Sequence, residues 1–410
     1  MSTATTARPA TEARPPVAVP PEGKPARARA RELEGYRGLA ALSIIVFHVS
    51  QFAIQSTPSS RIVTQMSKFE IVDILFVLSA YLLTLSYARA ALDRTSTVRP
   101  GEFLFRRAVR ILPLYWVAVT AVWSMRNSTF PGDWRDLLEH LTFTQVFDQK
   151  RIFYTLGPTW SMSLEIIFYG VLVILGPLAV RMCGHIATRR ARVAALMAGG
   201  VVLFLIPVTW NAVSYFVFHV PFDHWPVYFG PQARFGAFAV GMVLAVVVAA
   251  RRSEPVFRGV WPVILRVAGV AIIVGATWID RPGSWGQVGF HDLAAVGWLL
   301  LLSSTVLGVE GQRWARILSW RPLTAVGLIS YSMYMWHEPI LQLLDNHGIT
   351  NRSVSGLPWS ITVVLVSALL VGTLSYWVIE YPTSKLRSLR SKDGRPRNYY
   401  PDLVRRAEAS

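Results

Sequence analysis

One apolar stretch near the amino terminus carries a histidine that could act as a general base. Within residues 31–52, RELEGYRGLAALSIIVFHVSQF, Arg37 and His48 are eleven residues apart. An α-helix would place both side chains on nearly the same face and about 16 Å apart along its axis. A histidine this deep in an apolar helix predicts a functional site. The simpler alternative is a histidine that only bonds a neighbouring backbone or hydroxyl group.

The composition predicts the membrane setting in which such a helix would stand. The 410-residue chain is 52% hydrophobic and only 16% charged, with a mean hydropathy of +0.38, unlike an ordinary soluble domain. The formal net charge of +17 comes from short basic clusters between apolar segments, which indicates membrane topology rather than nucleic-acid binding. The single cysteine, Cys183, excludes an intramolecular disulfide and a multi-cysteine metal site, and we expect no metal.

Apolar windows of about 20 residues predict an all-α, polytopic membrane helix bundle with about ten transmembrane helices. Most of the 41 lysines and arginines fall in alternate loops and in both tails, so we expect both termini to be cytoplasmic. We expect a disordered cytoplasmic tail (1–30), a ten-helix membrane domain (31–384) and a basic cytoplasmic tail (385–410). The predicted spans are 37–55, 70–90, 109–125, 160–180, 195–218, 228–250, 261–279, 290–309, 323–345 and 358–380.

The longest predicted outside loop contains a short amphipathic segment. Trp134, Leu137, Leu138 and Leu141 follow helical spacing with charged residues between them. This pattern predicts a short helix that lies on the outer surface, where it either covers a cavity or only anchors the loop at the membrane interface.

Four predicted spans carry ionisable residues at a similar depth. With both termini inside, Asp73 lies in the outer part of the second span, Glu165 lies about two turns into the fourth, and His337 lies about 22 Å along the ninth. Together with His48 they form a set of histidines and carboxylates in the outer half of the membrane. General-base chemistry on a hydroxyl group uses such a set, and so does a proton relay in a transporter or flippase. A transporter often has repeated halves, which this sequence lacks.

A basic cluster lies at the opposite, cytoplasmic end of the third predicted span. Arg106, Arg107 and Arg110 reach the same membrane face as Arg37. Arginines at this position are ordinarily determinants of topology. The alternative is that they bind an anionic donor, because guanidinium groups match phosphate oxygens in bidentate fashion.

Six stretches of the sequence, in order, resemble the signatures of the acyltransferase family 3 of membrane-bound acyltransferases. They extend over about 350 residues and include the spacing of ten residues between the arginine and histidine of the first signature. The stretches are LEGYRGLAALSIIVFH (33–48), VDILFVLSAYLLT (72–84), FLFRRAVRILPLYW (103–116), TWSMSLEIIFYG (159–170), SYSMYMWHEPIL (330–341) and SYWVIEYP (375–382).

The resemblance implies an integral-membrane O-acyltransferase of the bacterial inner (plasma) membrane. Such an enzyme moves an acyl group, often acetyl, from cytoplasmic acyl-CoA to a hydroxyl of a cell-surface glycan, glycolipid or secreted natural product. Acyl-CoA is then a donor substrate, and no permanently bound cofactor is expected. The expected partners are acyl-CoA, the hydroxyl acceptor and membrane lipid, without nucleic acid.

The resemblance also implies roles for single residues. Arg37 and His48 would be the functional pair, with His48 as general base or, as an alternative, as a transient acyl carrier. Arg37 would also belong to the donor-binding arginines, with Arg106, Arg107 and Arg110. Asp73, Glu165 and His337 match signature positions and would orient His48 or the acceptor.

The sequence departs from the family pattern at four positions, none of which is Arg37 or His48. The departures are Glu34 in place of a common Asp, Ala80 in place of Gly, Ile166 in place of a polar residue, and Tyr381 in place of Arg. Some family members carry a hydrolase-like domain after the last span, and we expect the residues after Pro382 to be too few for one.

Overall fold

The computed structural model describes residues 24–54, 60–68, 71–127, 129, 131–251, 255–279, 284–309 and 313–386. In these parts the regular structure is helical, apart from one isolated parallel β-bridge between Phe257 and Gly308. Nine helices of the described segments are long and apolar enough to cross a membrane: α1 (Lys24–Ile54), α3 (Val72–Asp93), α4 (Pro100–Arg126), α6 (Trp160–His185), α7 (Arg189–Phe216), α9 (Pro231–Arg251), α10 (Trp261–Ile279), α11 (Trp285–Val306) and α15 (Leu357–Ser375).

Seven shorter helices complete the described chain. They are α2 (Arg61–Met66), α5 (Trp134–Leu141), α8 (Trp225–Phe229), α12 (Arg313–Leu318), α13 (Arg321–Leu328), α14 (Ser330–Asn346) and α16 (Tyr381–Lys385). Two 3₁₀ turns, Gln145–Phe147 and Gly157–Thr159, precede α6, and a π-helical turn, Tyr376–Glu380, joins α15 to α16. The predicted all-α, polytopic membrane bundle is confirmed.

The ninth predicted span, 323–345, is a broken helix rather than a continuous one. Helices α13 and α14 meet at Ile329, whose backbone angles of φ −92° and ψ 6° leave the α-helical region. Neither half alone is long enough to count as a span, so the described residues contain nine long apolar helices instead of ten. The cytoplasmic orientation of the two termini stays a prediction.

The first helix starts earlier than the predicted domain boundary at residue 31. Helix α1 begins at Lys24, with Pro25 in its first turn and alternating Ala and Arg after it. Proline suits the first turn of a helix, and alanine and arginine are strong helix formers, which explains the extension. Residues 1–23 of the predicted amino-terminal tail and 387–410 of the predicted carboxyl-terminal tail lie outside the described residues.

Helix α3 lies at the centre of the bundle, packed between α6, α9 and α11. Stacked aromatic rings join these helices: the ring of Phe238 lies 4.7 Å from that of Phe76 and 4.4 Å from that of Phe168. A second apolar cluster joins α1, α14 and α15 through Ile45, Met333 and other buried residues. The first helix therefore packs against the broken helix and α15.

Glycines allow α1 and α13 to touch backbone to backbone. A Cβ atom on Gly327 would lie 2.1 Å from the carbonyl oxygen of Glu34, and one on Gly38 would lie 2.2 Å from that of Leu323. No side chain fits at such distances. This crossing fixes α1 against the broken helix, and so sets the position of His48 relative to α14.

The predicted amphipathic helix in the loop 127–159 is present as α5. Its apolar side faces outward, with Trp134 62% and Leu138 51% exposed, while Asp136 and His140 are buried. Arg151 ties the loop together by contacting Asp133 and Asp148, both at 3.1 Å. Partial burial alone would raise the pKa of Asp133, but the N–H of Asp136 and the Arg151 guanidinium lower it overall.

Substitution of Gly327 by alanine tests the close crossing of α1 and α13. The added methyl group must push two backbones apart, which costs about 1–3 kcal/mol for overpacking. We therefore expect Gly327→Ala to lower the thermal unfolding midpoint of the detergent-solubilised protein.

The matched control for this substitution is Gly170→Ala in α6. A Cβ atom at Gly170 has no neighbour within 4 Å, so this variant should keep the midpoint or raise it slightly, because alanine favours a helix over glycine. Equal midpoints for the two variants would show that the crossing is not tightly packed.

Candidate active site

His48 and His337 meet between α1 and α14. The Nδ1 atom of His48 lies 3.2 Å from the Nε2 atom of His337, and the ring centroids are 4.8 Å apart. His337 is buried, whereas His48 is partly exposed. Of the three residues predicted to accompany His48, His337 is the one that the structure places in contact with it.

Contacts with backbone carbonyls show which ring nitrogen carries the hydrogen in each neutral histidine. The Nδ1 atom of His337 lies 2.6 Å from the carbonyl oxygen of Tyr334, and that of His48 lies 2.9 Å from the carbonyl oxygen of Ile44. A carbonyl only accepts hydrogen bonds, so both Nδ1 atoms carry the hydrogen. His48 then shares its Nδ1–H between Ile44 and the Nε2 atom of His337. Its own Nε2 atom keeps a lone pair, and no described residue bonds it.

The residues at the start of α6 hold α14 in place beside this pair. The hydroxyl of Tyr334 donates to the carbonyl of Pro158 at 2.6 Å and lies 2.6 Å from the hydroxyl of Ser161. The same tyrosine provides the carbonyl that orients His337. The loop before α6 is thus connected to the histidine pair through one residue of α14.

Glu165 makes no described contact with either histidine. Its carboxylate accepts hydrogen bonds from Ser79 at 2.8 Å and from the hydroxyl of Tyr169. Arg107 and Arg110 act electrostatically on that same hydroxyl. The described contacts of Glu165 therefore connect it, through Tyr169, to the arginines of α4.

The four candidate donor-binding arginines have different surroundings. Arg37 contacts Glu34 at 3.2 Å, Arg106 bonds Glu102, and the guanidinium of Arg107 lies 5.9 Å from the ring of Phe103. Arg106 and Glu102 are partly exposed and one turn apart on α4.

Two of these arginines lie near the partly buried Glu380. Arg37 and Arg110 both act electrostatically on its carboxylate, which accepts a hydrogen bond from Ser332. Glu380 ends the π-helical turn after α15, and such turns are frequent at functional sites. Sequence reasoning did not single out Glu380, although an acid within an apolar terminal span was a usable signal.

Asp73 belongs to a second buried polar centre. Its carboxylate lies 2.9 Å from the Nδ1 atom of His291, whose Nε2 atom lies 3.0 Å from the hydroxyl of Tyr228. The Arg234 guanidinium stacks on the rings of Tyr228 at 4.6 Å and Trp160 at 5.2 Å. This centre joins α3, α8, α9 and α11, and no described contact links Asp73 to His48.

Sequence reasoning missed the partners of Asp73. Arg234, His291 and Asp292 all lie inside predicted spans, and each is nine-tenths or more buried. An ionisable residue within a span is costly unless it is paired, so their positions alone were a signal. The pairing of α3 with α9 and α11 was needed to show that they surround Asp73.

No arrangement of three or more His, Cys, Asp or Glu side chains in the described segments could hold a metal ion. Two apolar grooves, of about 520 and 490 Å³, lie on α10 and α7. Neither groove is lined by the two histidines or by the four arginines.

Comparison with known proteins points to one family. Residues 31–377 match the sequence profile described as "Acyltransferase domain". The chain is 23% identical over 401 residues to a Staphylococcus aureus (strain COL) protein named "Putative O-acetyltransferase", covering 92% of this chain and 60% of that protein. It is 25% identical over 380 residues to the Bacillus subtilis "Putative peptidoglycan O-acetyltransferase YrhL", covering 85% of this chain and 54% of that protein.

A third relative is the "O-acetyltransferase OatA" of Staphylococcus aureus (strain NCTC 8325). It is 23% identical over 374 residues, which cover 86% of this chain and 57% of OatA. The chain thus spans little more than half the length of these curated relatives. No solved structure matches the chain significantly.

Replacement of Asp73 by asparagine separates a stabilising role from a chemical one. The substitution removes the buried carboxylate that lies 2.9 Å from the Nδ1 atom of His291, and the loss of a buried hydrogen bond of this kind costs about 1–3 kcal/mol. We expect Asp73→Asn to lower the thermal unfolding midpoint markedly.

The control is Asp93→Asn at the other end of the same helix. The Asp93 side chain is 44% exposed and lies 3.7 Å from Arg189, so its loss should cost less than about 1 kcal/mol. If Asp73→Asn unfolds like the wild-type protein yet loses acyl transfer, Asp73 acts in the chemistry instead.

Proposed function

Because the chain belongs to the acyltransferase domain family, we propose that it is a membrane O-acetyltransferase that takes its acetyl group from acetyl-CoA. The O-acetyltransferase names of its relatives support the reaction. The acceptor is a hydroxyl group of a cell-surface glycan, a glycolipid or a secreted product, and the peptidoglycan relative supports a glycan. The enzyme lies in the bacterial plasma membrane.

The observation that carries this proposal is the lone pair on Nε2 of His48, which no described residue bonds. Its Nδ1–H is held by Ile44 and His337, so Nε2 is the nitrogen available to a substrate. A neutral imidazole held in this tautomer can accept a proton from an acceptor hydroxyl near neutral pH. His48 is also partly exposed, as a base that touches substrate must be.

His48 carries the proton through the whole acetyl transfer, so the reaction needs no second acid or base. The acceptor hydroxyl gives its proton to His48 Nε2 while its oxygen attacks the thioester carbonyl carbon. The carbon–sulfur bond then breaks, and the coenzyme A thiolate takes the proton from the His48 imidazolium. The products are the acetyl ester and free coenzyme A, and His48 returns to its starting tautomer.

His337 acts in this scheme as a positioning residue. Its Nδ1–H is committed to the Tyr334 carbonyl, so its Nε2 atom accepts the hydrogen of His48 and disperses the positive charge of the imidazolium. In hydrolases with a catalytic triad a carboxylate has this function. The neutral Nε2 atom of His337 stabilises the His48 imidazolium less than a carboxylate would, but it does not add a second buried charge.

The donor lies on the side of Arg37, Arg107 and Arg110. Arg37 is about 16 Å from His48 along α1, a distance that the extended pantetheine arm of coenzyme A can span. The arginines converge near Glu380 and Tyr169, where guanidinium groups would pair with the phosphates of the donor. The proposed donor site also includes Arg106, which is adjacent to Arg107 on α4.

The two remaining candidate residues have supporting functions in this scheme. Glu165 orients Tyr169 beside the arginines and so shapes the path of the donor. Asp73 stabilises the buried centre around His291.

Replacement of His48 tests the proposal directly. We expect purified His48→Ala, reconstituted in nanodiscs with acetyl-CoA, to lose acceptor-dependent release of coenzyme A by about 10²–10⁴-fold, the usual contribution of a general base. The control is His347→Ala at the exposed end of α14, where His347 bonds only the carbonyl of Leu343. Near-normal transfer by His48→Ala would overturn the assignment.

The same assay distinguishes the positioning role of His337 from a structural one. His337→Ala should lower kcat about 10- to 100-fold, because one hydrogen bond to a charged group is lost, and should leave KM for acetyl-CoA unchanged. His337→Gln should restore part of kcat, since the amide oxygen can accept the His48 hydrogen.

Replacement of Arg107 tests the donor site. Arg107→Gln should raise KM for acetyl-CoA about tenfold, as expected for one charge-assisted bond to phosphate. KM for S-acetyl-N-acetylcysteamine, which lacks the phosphates, should not change. The exposed Arg99→Gln variant just before α4 is the control. Equal effects on both donors would show that Arg107 does not bind phosphate.

A further inference from the structure

A network of polar groups begins at Glu338, the residue that follows His337 on α14. Glu338 accepts hydrogen bonds from the backbone N–H of Gly157 at 2.9 Å and from the amide of Gln342 at 2.8 Å. Arg126 in turn donates to the Gln342 carbonyl oxygen. We call these four residues, Glu338, Gln342, Arg126 and Gly157, the outer rim.

The outer rim and His48 share one rigid frame. Glu338 directly follows His337, so the two side chains project about 100° apart from the same turn of α14. Gly157 precedes Pro158, which holds the hydroxyl of Tyr334, the residue that orients His337. His48 is six residues from the end of α1, about 9 Å along its axis, and Arg126 is the last residue of α4.

The Glu338 carboxylate is fixed but not saturated. Gly157 allows its close approach, because a Cβ atom there would lie 3.1 Å from Oε1. Each carboxylate oxygen receives one described hydrogen bond, although each can accept two. Glu338 is also partly exposed. A held, reachable carboxylate with spare acceptor capacity can bind hydroxyl hydrogens without paying much ordering entropy.

The charges of the rim favour a neutral, hydroxyl-rich ligand. The formal charges of Glu338 and Arg126 cancel. Gln342 lies between them, and its NH₂ group donates to Glu338 while its carbonyl oxygen accepts from Arg126. At the end of α14, Asp345 forms a second neutral pair with Arg352, which follows the helix. The Arg352 guanidinium lies 5.5 Å from the centre of the ring of Phe52, one turn beyond His48. Alternating acceptors and donors without net charge match the vicinal hydroxyl and acetamido groups of a sugar ring.

We propose that the outer rim is the acceptor-recognition subsite of the enzyme, and that it binds a neutral pyranose, with Glu338 and Gln342 holding ring substituents while a neighbouring hydroxyl reaches His48. This inference rests on the proposed function and names the residues that select the acceptor. Glu338 is thus a specificity residue that contacts the acceptor but takes no part in proton transfer.

Two acceptors of different size test this subsite. Purified protein in nanodiscs is given acetyl-CoA with either methyl β-N-acetylglucosaminide or ethanol, and the acetylated product is measured by mass spectrometry. For Glu338→Gln and Gln342→Ala we expect KM for the glycoside to rise at least tenfold. Transfer to ethanol, which reaches His48 without the rim, and KM for acetyl-CoA should stay within twofold.

The matched control is Glu139→Gln, which makes the same chemical change in the Arg135–Glu139 pair of α5, whose arginine is 61% exposed. It should leave both acceptors unaffected. An equal loss with glycoside and ethanol in Glu338→Gln would show a structural role, and unchanged glycoside kinetics would exclude Glu338 from the acceptor site. Wild-type transfer to ethanol but not to the glycoside would overturn the pyranose subsite alone. Absence of His48-dependent transfer to either acceptor would instead overturn the proposed function.

Discussion

The hydrogen bond between His48 Nδ1 and His337 Nε2 is the contact on which the proposed chemistry depends. It requires α1 and α14 to approach closely at one depth, and two features of the fold provide this. The glycine crossing presses α1 against α13, and the break at Ile329 lets α14 leave that crossing in its own direction. Tyr334 then fixes the His337 ring through its carbonyl and the loop before α6 through its hydroxyl.

Buried charge divides the rest of the bundle into distinct centres. An ion in an apolar helix bundle needs a partner or a strong hydrogen bond, so ionisable residues collect where several helices can meet. Asp73 and His291 form one such centre, and Glu380 with the arginines of α1 and α4 forms another. The histidine pair differs from both, since its described hydrogen bonds join it to carbonyl oxygens and to itself. A base of this kind can gain and lose a proton without breaking an ion pair.

The hydropathy of the sequence was enough to predict most of the long helices. The helices α4 and α10 were predicted despite Pro113 and Pro262, because an apolar window of this length is a strong signal even with a proline. The short helix α5 was predicted from its spacing. The break at Ile329 was not, because a hydropathy window averages over Gly327 and Ser330, which flank it, and carries no signal of a helix end. The early start of α1 was also missed, since its polar first turns carry no hydropathy signal.

The sequence by itself determined which residues lie at which depth, because each helical residue advances a fixed distance along the axis. That was enough to place His48 and His337 at one level and the four arginines at another. Only the tertiary structure decided which residues of one level touch. Asp73 faces α11 and Glu165 faces Ser79 of α3, while His337 alone of the three turns to His48. Rotation about each helix axis and the choice of neighbour depend on side-chain packing between distant segments, which no local pattern records.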